Sequence, residues 1–422
     1  MEWNRRNIIV AVVILILGFG GGGAMYLYQK GGTQGGMAFM WFRLEKWADG
    51  LDGVMTEMTP MEIREAKKKA EKVAEIALQK YPELRIEDKP VPREQNGFYA
   101  MLELAEDPRL GGLRKIDFYK LLSGDPVDLD QLRKELEPFE EIGLEIERVA
   151  AMPERSSSDV PAGYEGMVPA GQVKAMVEYL LSKALLSAGN EDEAFRYVYL
   201  AMNLSDHLRY IESPNLLSET VLILCRLNIM DSVIKDIFPQ LGNSANLEKW
   251  SRLIEPRRDI ISQRHAELLK GELAFFNDYG CVLVFNKVPD PKELILARHK
   301  MVHTVVAELE GMDLKHFSHW IDSPPGTFSR GLSAEGAAII GMFGSQTWAR
   351  GVIRPLVGEN LYEAALDLLI REKAGEDLSR LSETYVLNPY TEKPFKYDPA
   401  TRTLEEVSES EGGEIEPLKL PW

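Results

Sequence analysis

Between Pro60 and Leu84 apolar residues return at steps of three and four. Ile63, Ala66, Ala70, Val73, Ala74, Ala77, Leu78 and Tyr81 fall on one face, with charges on the other, and Pro82 closes the run. That spacing predicts an amphipathic helix. Shorter helical pieces follow over 96–149, including "DLDQLRKELEPFEEIGLEIERVA", for which Asp128 or Asp130 supplies the cap. The stretch 151–171, rich in Pro, Gly and Ser, has no period and reads as a long loop or linker. Beyond it helical patterns cover 172–188, 191–210, 215–229, 231–240, 246–278, 291–311, 333–350 and 360–374. Period-two alternation is almost absent, and "CVLVF" at 281–285 reads as one short strand or a buried crossing. The expected fold is mainly α: consecutive helices on short connections, in an irregular helical-hairpin stack or bundle.

The amino terminus carries a different pattern. From Ile8 to Leu27 there are 20 residues without a charge, which as a helix span about 30 Å, the thickness of a bilayer's hydrocarbon core. Arg5 and Arg6 precede it, and Tyr26 and Tyr28 stand where an interfacial belt would be. We therefore expect a single transmembrane anchor over 1–28, inserted in the lipid bilayer of the inner (plasma) membrane through residues 8–28, with the bulk of the chain on the periplasmic or extracytoplasmic side. A cleaved signal peptide is the competing reading, with Gly22 and Ala24 as the small residues before the cut. The glycines between Gly18 and Gly23 would let two such helices approach, giving a homo-oligomer through the anchor. A Gly-rich spacer, 29–36, leads into "MAFMWFRLEKWADGL", which suits either the bilayer surface or the first buried helix.

Composition narrows the function classes. Hydrophobic residues make up 45% and charged residues 27%, the balance of a folded chain. A formal charge of −17 repels phosphate backbones, so no nucleic acid is expected as a partner. Short basic runs such as Lys67–Lys69 and Arg257–Arg258 read as solvated helix faces. The two cysteines, Cys225 and Cys281, sit among apolar neighbours and read as buried thiols or as one disulfide. Neither CxxC nor CxxCH occurs, which excludes covalent haem and a cysteine zinc site.

Two segments resemble known families. "AGNEDEAFRYVYLAMNLSD" resembles the second helix of a tetratricopeptide repeat, with Gly189 at the turn, Ala194 and Ala201 at close approaches and Leu204 near the end. Asp206 stands in place of the closing proline, and no 34-residue period recurs. The tail "LNPYTEKPFKYDPATRTLEEVS" resembles the ends of envelope proteins from planctomycete-type bacteria and of pseudopilins, through Asn388, Pro389, Tyr390, Lys393, Pro394, Phe395 and Tyr397. Asn388 and Glu392 replace the usual Asp and Gly, and the amino terminus lacks a pseudopilin's cleavage glycine. The resemblance implies an anchored bacterial envelope protein with a small β-hairpin-like tail.

Motifs for chemistry are scarce. There is no GxxxxGK[ST], no GxGxxG after a strand and no GxSxG around Ser329 or Ser345. Four of the six histidines crowd into 298–320. His299 and His303, at i and i+4, share a helix face, and His316 and His319 follow a turn at Gly311. A hairpin would join the pairs into a zinc site, with Asp313 or Asp322 adding an oxygen. No HExxH occurs, so ordinary packing is the simpler account and no cofactor is expected.

The resulting organisation is an anchor (1–28), a spacer (29–36), a membrane-proximal helical region (37–150), a linker (151–171), a helical-hairpin domain (172–385), a tail hairpin (386–410) and a disordered end (411–422). The function expected is a non-catalytic scaffold or adaptor binding protein partners through a helical surface. The alternatives are an envelope enzyme built on the histidines and a subunit of a secretion or pilus-like assembly.

Overall fold

The structure, a computed structural model, describes residues 59–422 except 117, 119–127, 159–167, 210, 242–245, 247–248, 251, 254–260, 276, 278–290, 313–315, 318–344, 389–390, 407–416 and 421–422. The expected anchor, the spacer, the aromatic stretch 37–47 and the run 281–285 lie outside the described residues. Among the described residues no helix is long and apolar enough to cross a membrane.

The helical expectation holds, and a small antiparallel sheet of four strands closes the chain. Helix α1 (Pro60–Lys80) opens on a capping box: the Thr59 hydroxyl accepts from the Glu62 amide, and the Glu62 carboxylate accepts from the Thr59 amide at 2.8 Å. Its buried stripe is Ala66, Ala70, Val73, Ala74 and Ala77. These small side chains let it lie close against α10 (Pro291–Leu309), more than two hundred residues later.

A second group comprises α2 (Gly97–Ala105), the single turn α3 (Leu110–Leu113), α4 (Leu129–Leu136) and α5 (Glu140–Ala150). Asp128 is the cap of α4, accepting from the amides of Asp130 and Gln131 at 3.2 and 3.0 Å. Next come α6 (Ala170–Leu186) and α7 (Glu191–Arg209), a hairpin across a four-residue turn, and then α8 (Leu216–Ser232), which packs on both. α8 runs into a π-helical turn, Val233–Ile237, and a 3-10 turn, Phe238–Gln240. α9 (Ile261–Phe275) pairs with α10, and α11 (Ser345–Lys373) packs along α8. One apolar core runs through all of these, from Ala70 to Leu420.

The stretch 151–158 is tied down, unlike a free linker. Asn96 and Ser156 exchange two hydrogen bonds, Nδ2 to the carbonyl at 2.8 Å and amide to Oδ1 at 3.1 Å. The Ser157 amide donates to Glu212 at 2.7 Å, and Arg155 donates to Asn203 on α7. The run offers backbone groups of Ser156 and Ser157 and the Arg155 side chain, and its partners Asn96, Glu212 and Asn203 lie far off in sequence, which a hydropathy pattern does not register.

The tail also exceeds the expected hairpin. β1 (Glu383–Leu387), β2 (Pro394–Asp398), β3 (Thr403–Glu405) and β4 (Leu418–Lys419) pair in sequence order, each antiparallel to the last. Val386, Phe395, Tyr397, Leu404 and Leu418 are all buried, and the sheet lies against α11. The apolar end of that tail forms β4, where Leu418 and Leu420 are buried, while 411–416 of the stretch expected to be disordered lie outside the described residues. Arg402, in a left-handed turn (φ 57°), donates to both carboxylate oxygens of Glu372 at 2.7 Å and fastens the sheet to α11.

Candidate functional site

Three histidines of the quartet, His299, His303 and His316, are among the described residues, and they stand in three different settings. His299 is fully buried on α10, where its Nδ1–H donates to the Ile295 carbonyl at 2.8 Å. Its Nε2, which keeps the lone pair, accepts from the Asn277 amide at 3.2 Å. Burial, opposed by the Ile295 hydrogen bond and aided by Arg298, holds its pKa below the ordinary value. His303, one turn later, stacks on Tyr81 with ring centres 4.5 Å apart and pairs with Glu83, just beyond the end of α1. His316 is exposed beside the buried Phe317, and His319 lies outside the described residues. Among the described residues no group of three His, Cys, Asp or Glu side chains is placed to hold a metal. Shared helical phase put His299 and His303 on one face, and their neighbours then drew one inward and the other to α1.

The interior holds charges that periodicity does not reveal. Arg226 on α8 is 2% exposed and donates through Nε to Glu359 on α11, itself 1% exposed, while its Nη1 lies 3.3 Å from Asp206 on α7. Burial alone would lower the Arg226 pKa, but the Glu359 and Asp206 carboxylates raise it above the ordinary arginine value. Arg264 on α9 reaches Glu219 on α8 at 2.6 Å, and the Tyr362 hydroxyl donates to Asp231 at 2.9 Å. These pairs join α7, α8, α9 and α11 and fix their register. Cys225 is a free buried thiol whose pKa burial pushes up to about 12, so it stays protonated and unreactive. Cys281 lies outside the described residues.

Asp236, on the π-helical turn, has a pKa pushed up to about 7, first by burial and then by the Asp231 carboxylate, against the pull of Lys235 and Ser232. His207 has the opposite displacement. Its Nε2–H donates to the Val149 carbonyl at 2.9 Å, Arg155 donates to its Nδ1 at 3.4 Å, and burial lowers its pKa to about 4. Its ring also lies against Gly97, where a Cβ would come within 2.4 Å of Cε1.

An open surface feature remains, a groove of about 310 Å³ between α2 and α5. Ala100, Glu103, Leu104 and Asp107 line one wall, and Glu141, Glu145 and Arg148 the other, with Arg109 at one end. Ala100, Glu103 and Leu104 share one face of α2, with Asp107 just past its end, and Glu141, Glu145 and Arg148 share one face of α5. Leu144, also on α5 and one turn before Arg148, stands 67% exposed. The rim charges pair locally: Arg109 with Asp107 at 2.7 Å and Glu141 at 3.4 Å, and Arg148 with Glu145 at 2.8 Å. Exposed pairs of this kind contribute about 0–1 kcal/mol each, so an incoming chain can exchange them at small cost. These residues were visible in "GFYAMLELAED" and "EEIGLEIER" as charged and apolar groups of one helical phase. Nothing in one sequence indicates that the two faces meet.

The chain matches no family model, no curated protein and no solved structure.

Proposed function

We propose that this protein is a membrane-tethered, non-catalytic adaptor of the bacterial envelope, held on the extracytoplasmic side by residues 8–28. It takes a segment of a protein partner into the groove between α2 and α5. The observation that carries this reading is the groove itself: charged side chains from α2 and α5 around Ala100 and Leu104, with the exposed Leu144 one turn before Arg148 on α5. An apolar anchor surrounded by polar groups is the usual anatomy of a protein-binding patch.

The test is a photo-crosslinking amino acid placed at Leu144 in the full-length protein in cells, followed by mass spectrometry. A small, reproducible set of envelope proteins, lost when Arg148→Glu is added, supports the adaptor. Crosslinks only to a second copy of the chain would favour the assembly-subunit alternative instead. The absence of any specific product at 144 would remove the groove from consideration.

A further inference from the structure

We propose that the outward face of α1 rests on an anionic lipid surface, through Lys68 and Lys72 with Met61 and Ile76 as apolar contacts on either side. The inference rests on the reading of residues 8–28 as an anchor. Its own warrant is the geometry of α1. Ala66, Ala70, Val73, Ala74 and Ala77 are committed to the interior, and α1 packs there on α10. On the opposite side Lys68, Lys72 and Ile76 follow at four-residue steps, with Met61 two turns before Lys68. Met61 is 71% exposed and Ile76 53%, both large apolar side chains facing water.

Charge points the same way. The helix carries Arg64, Lys67, Lys68, Lys69, Lys72 and Lys80 in a chain whose formal charge is −17. Of its four acids, Glu62 is engaged in the cap and Glu75 pairs with Arg85 at 2.7 Å. Glu65 and Glu71 therefore stand against exposed Arg64, Lys68, Lys69 and Lys72. A helix with a second, exposed stripe of lysines bounded by apolar residues suits the plane of a membrane interface, where lysine stems lie along the acyl boundary and the ammonium groups reach phosphates. Position in the chain completes the argument. Residues 29–59 are all that separate the expected span from α1 in the chain, so the two are close neighbours in sequence. The helix is kept near the bilayer, where electrostatic attraction acts within about 8 Å.

The experiment uses the full chain reconstituted in nanodiscs of phosphatidylcholine alone or with phosphatidylglycerol. A solvatochromic probe sits on Met61→Cys, and the same chain with Met61 intact corrects for labelling elsewhere. The expected result is a blue shift with quenching by doxyl-labelled lipid in the anionic discs. Both effects should fall by at least half with Lys68→Glu/Lys72→Glu or in high salt. A probe that stays aqueous in anionic discs holding the protein overturns the proposal and leaves the anchor standing. Failure of the chain to enter discs of any composition sinks both readings. A blue shift that ignores lipid charge but vanishes on dilution assigns the stripe to a second copy of the chain, and likewise overturns it.

Discussion

A Cβ placed on Gly271 would lie 1.6 Å from the carbonyl oxygen of Pro214. Gly271 is on α9, and Pro214 lies just before α8, so the glycine marks where a loop backbone passes directly over a helix. A backbone carbonyl has no rotamer with which to move aside. Gly271→Ala should therefore destabilise the fold by about 3 kcal/mol, the upper end of overpacking costs. Gly189→Ala, with nothing within 4 Å of its Cβ, should change stability little. Urea titrations of the two variants decide this, and equal midpoints would count against the close approach.

Gly143 makes the same argument with a side chain in the way. Its Cβ would come within 1.9 Å of the Tyr179 hydroxyl oxygen, and Tyr179 is 1% exposed. Gly143→Ala should cost about 1–3 kcal/mol. Adding Tyr179→Phe removes the nearest of three clashing atoms and leaves Cζ at 2.3 Å and Cε1 at 2.8 Å, so it should restore part of the loss. If the double variant is no more stable than Gly143→Ala alone, the hydroxyl is not what excludes the methyl group.

Breaking the Arg226–Glu359 pair strands a charge in the core. Arg226→Met, leaving Glu359 at 1% exposure, should lower stability by about 3–5 kcal/mol. The double variant Arg226→Met/Glu359→Leu should recover part of it, because Glu359 no longer needs a charge partner while Asp206, 18% exposed, still loses one. Chemical denaturation of these two variants and of Glu359→Leu alone completes a double-mutant cycle. Additive losses would refute the coupling.

Two titrations run in opposite directions. The pKa of His207 is lowered to about 4 in the fold, so the unfolded chain binds more protons below the ordinary histidine value of about 6.5. Its contribution to stability is complete above pH 6.5 and is lost as pH falls towards 4. His207→Gln should flatten the stability profile across that window, whatever it costs at neutral pH.

Asp236 has a raised pKa, about 7, so here the folded chain holds the extra proton. Stability associated with it is present below the unfolded value of about 4 and falls as pH rises from there to 7. Asp236→Asn should stabilise the protein by about 1–2 kcal/mol above pH 7 and do little near pH 4. Thermal melts at the two pH values measure the difference, and an equal gain at both would show that the carboxyl does not titrate there.

The three- and four-residue spacing made the helices legible, down to the cap at Asp128 and the end of α1 near Pro82. It placed His299 and His303 on one face but not in one environment, because environment depends on Asn277, Tyr81 and Glu83, which other elements deliver. Nothing in the sequence singled out buried Arg226 and Glu359, since a charge paired across 133 positions leaves no local trace. The tail's strands β3 and β4 are too short to show alternation, and only the contact of Leu404 and Leu418 with α11 gives them a core side.

α11 presents one flank to α8 and another to β1, β3 and β4. On the first, Glu359 holds Arg226; on the second, Glu372 holds Arg402. A single beam thus serves as the wall of the stack and the floor of the sheet. Loosening either side deprives the other of its support, so the tail and the body form one cooperative unit. A cut between β1 and β2 would register as a lower melting temperature for helices a hundred and fifty residues upstream.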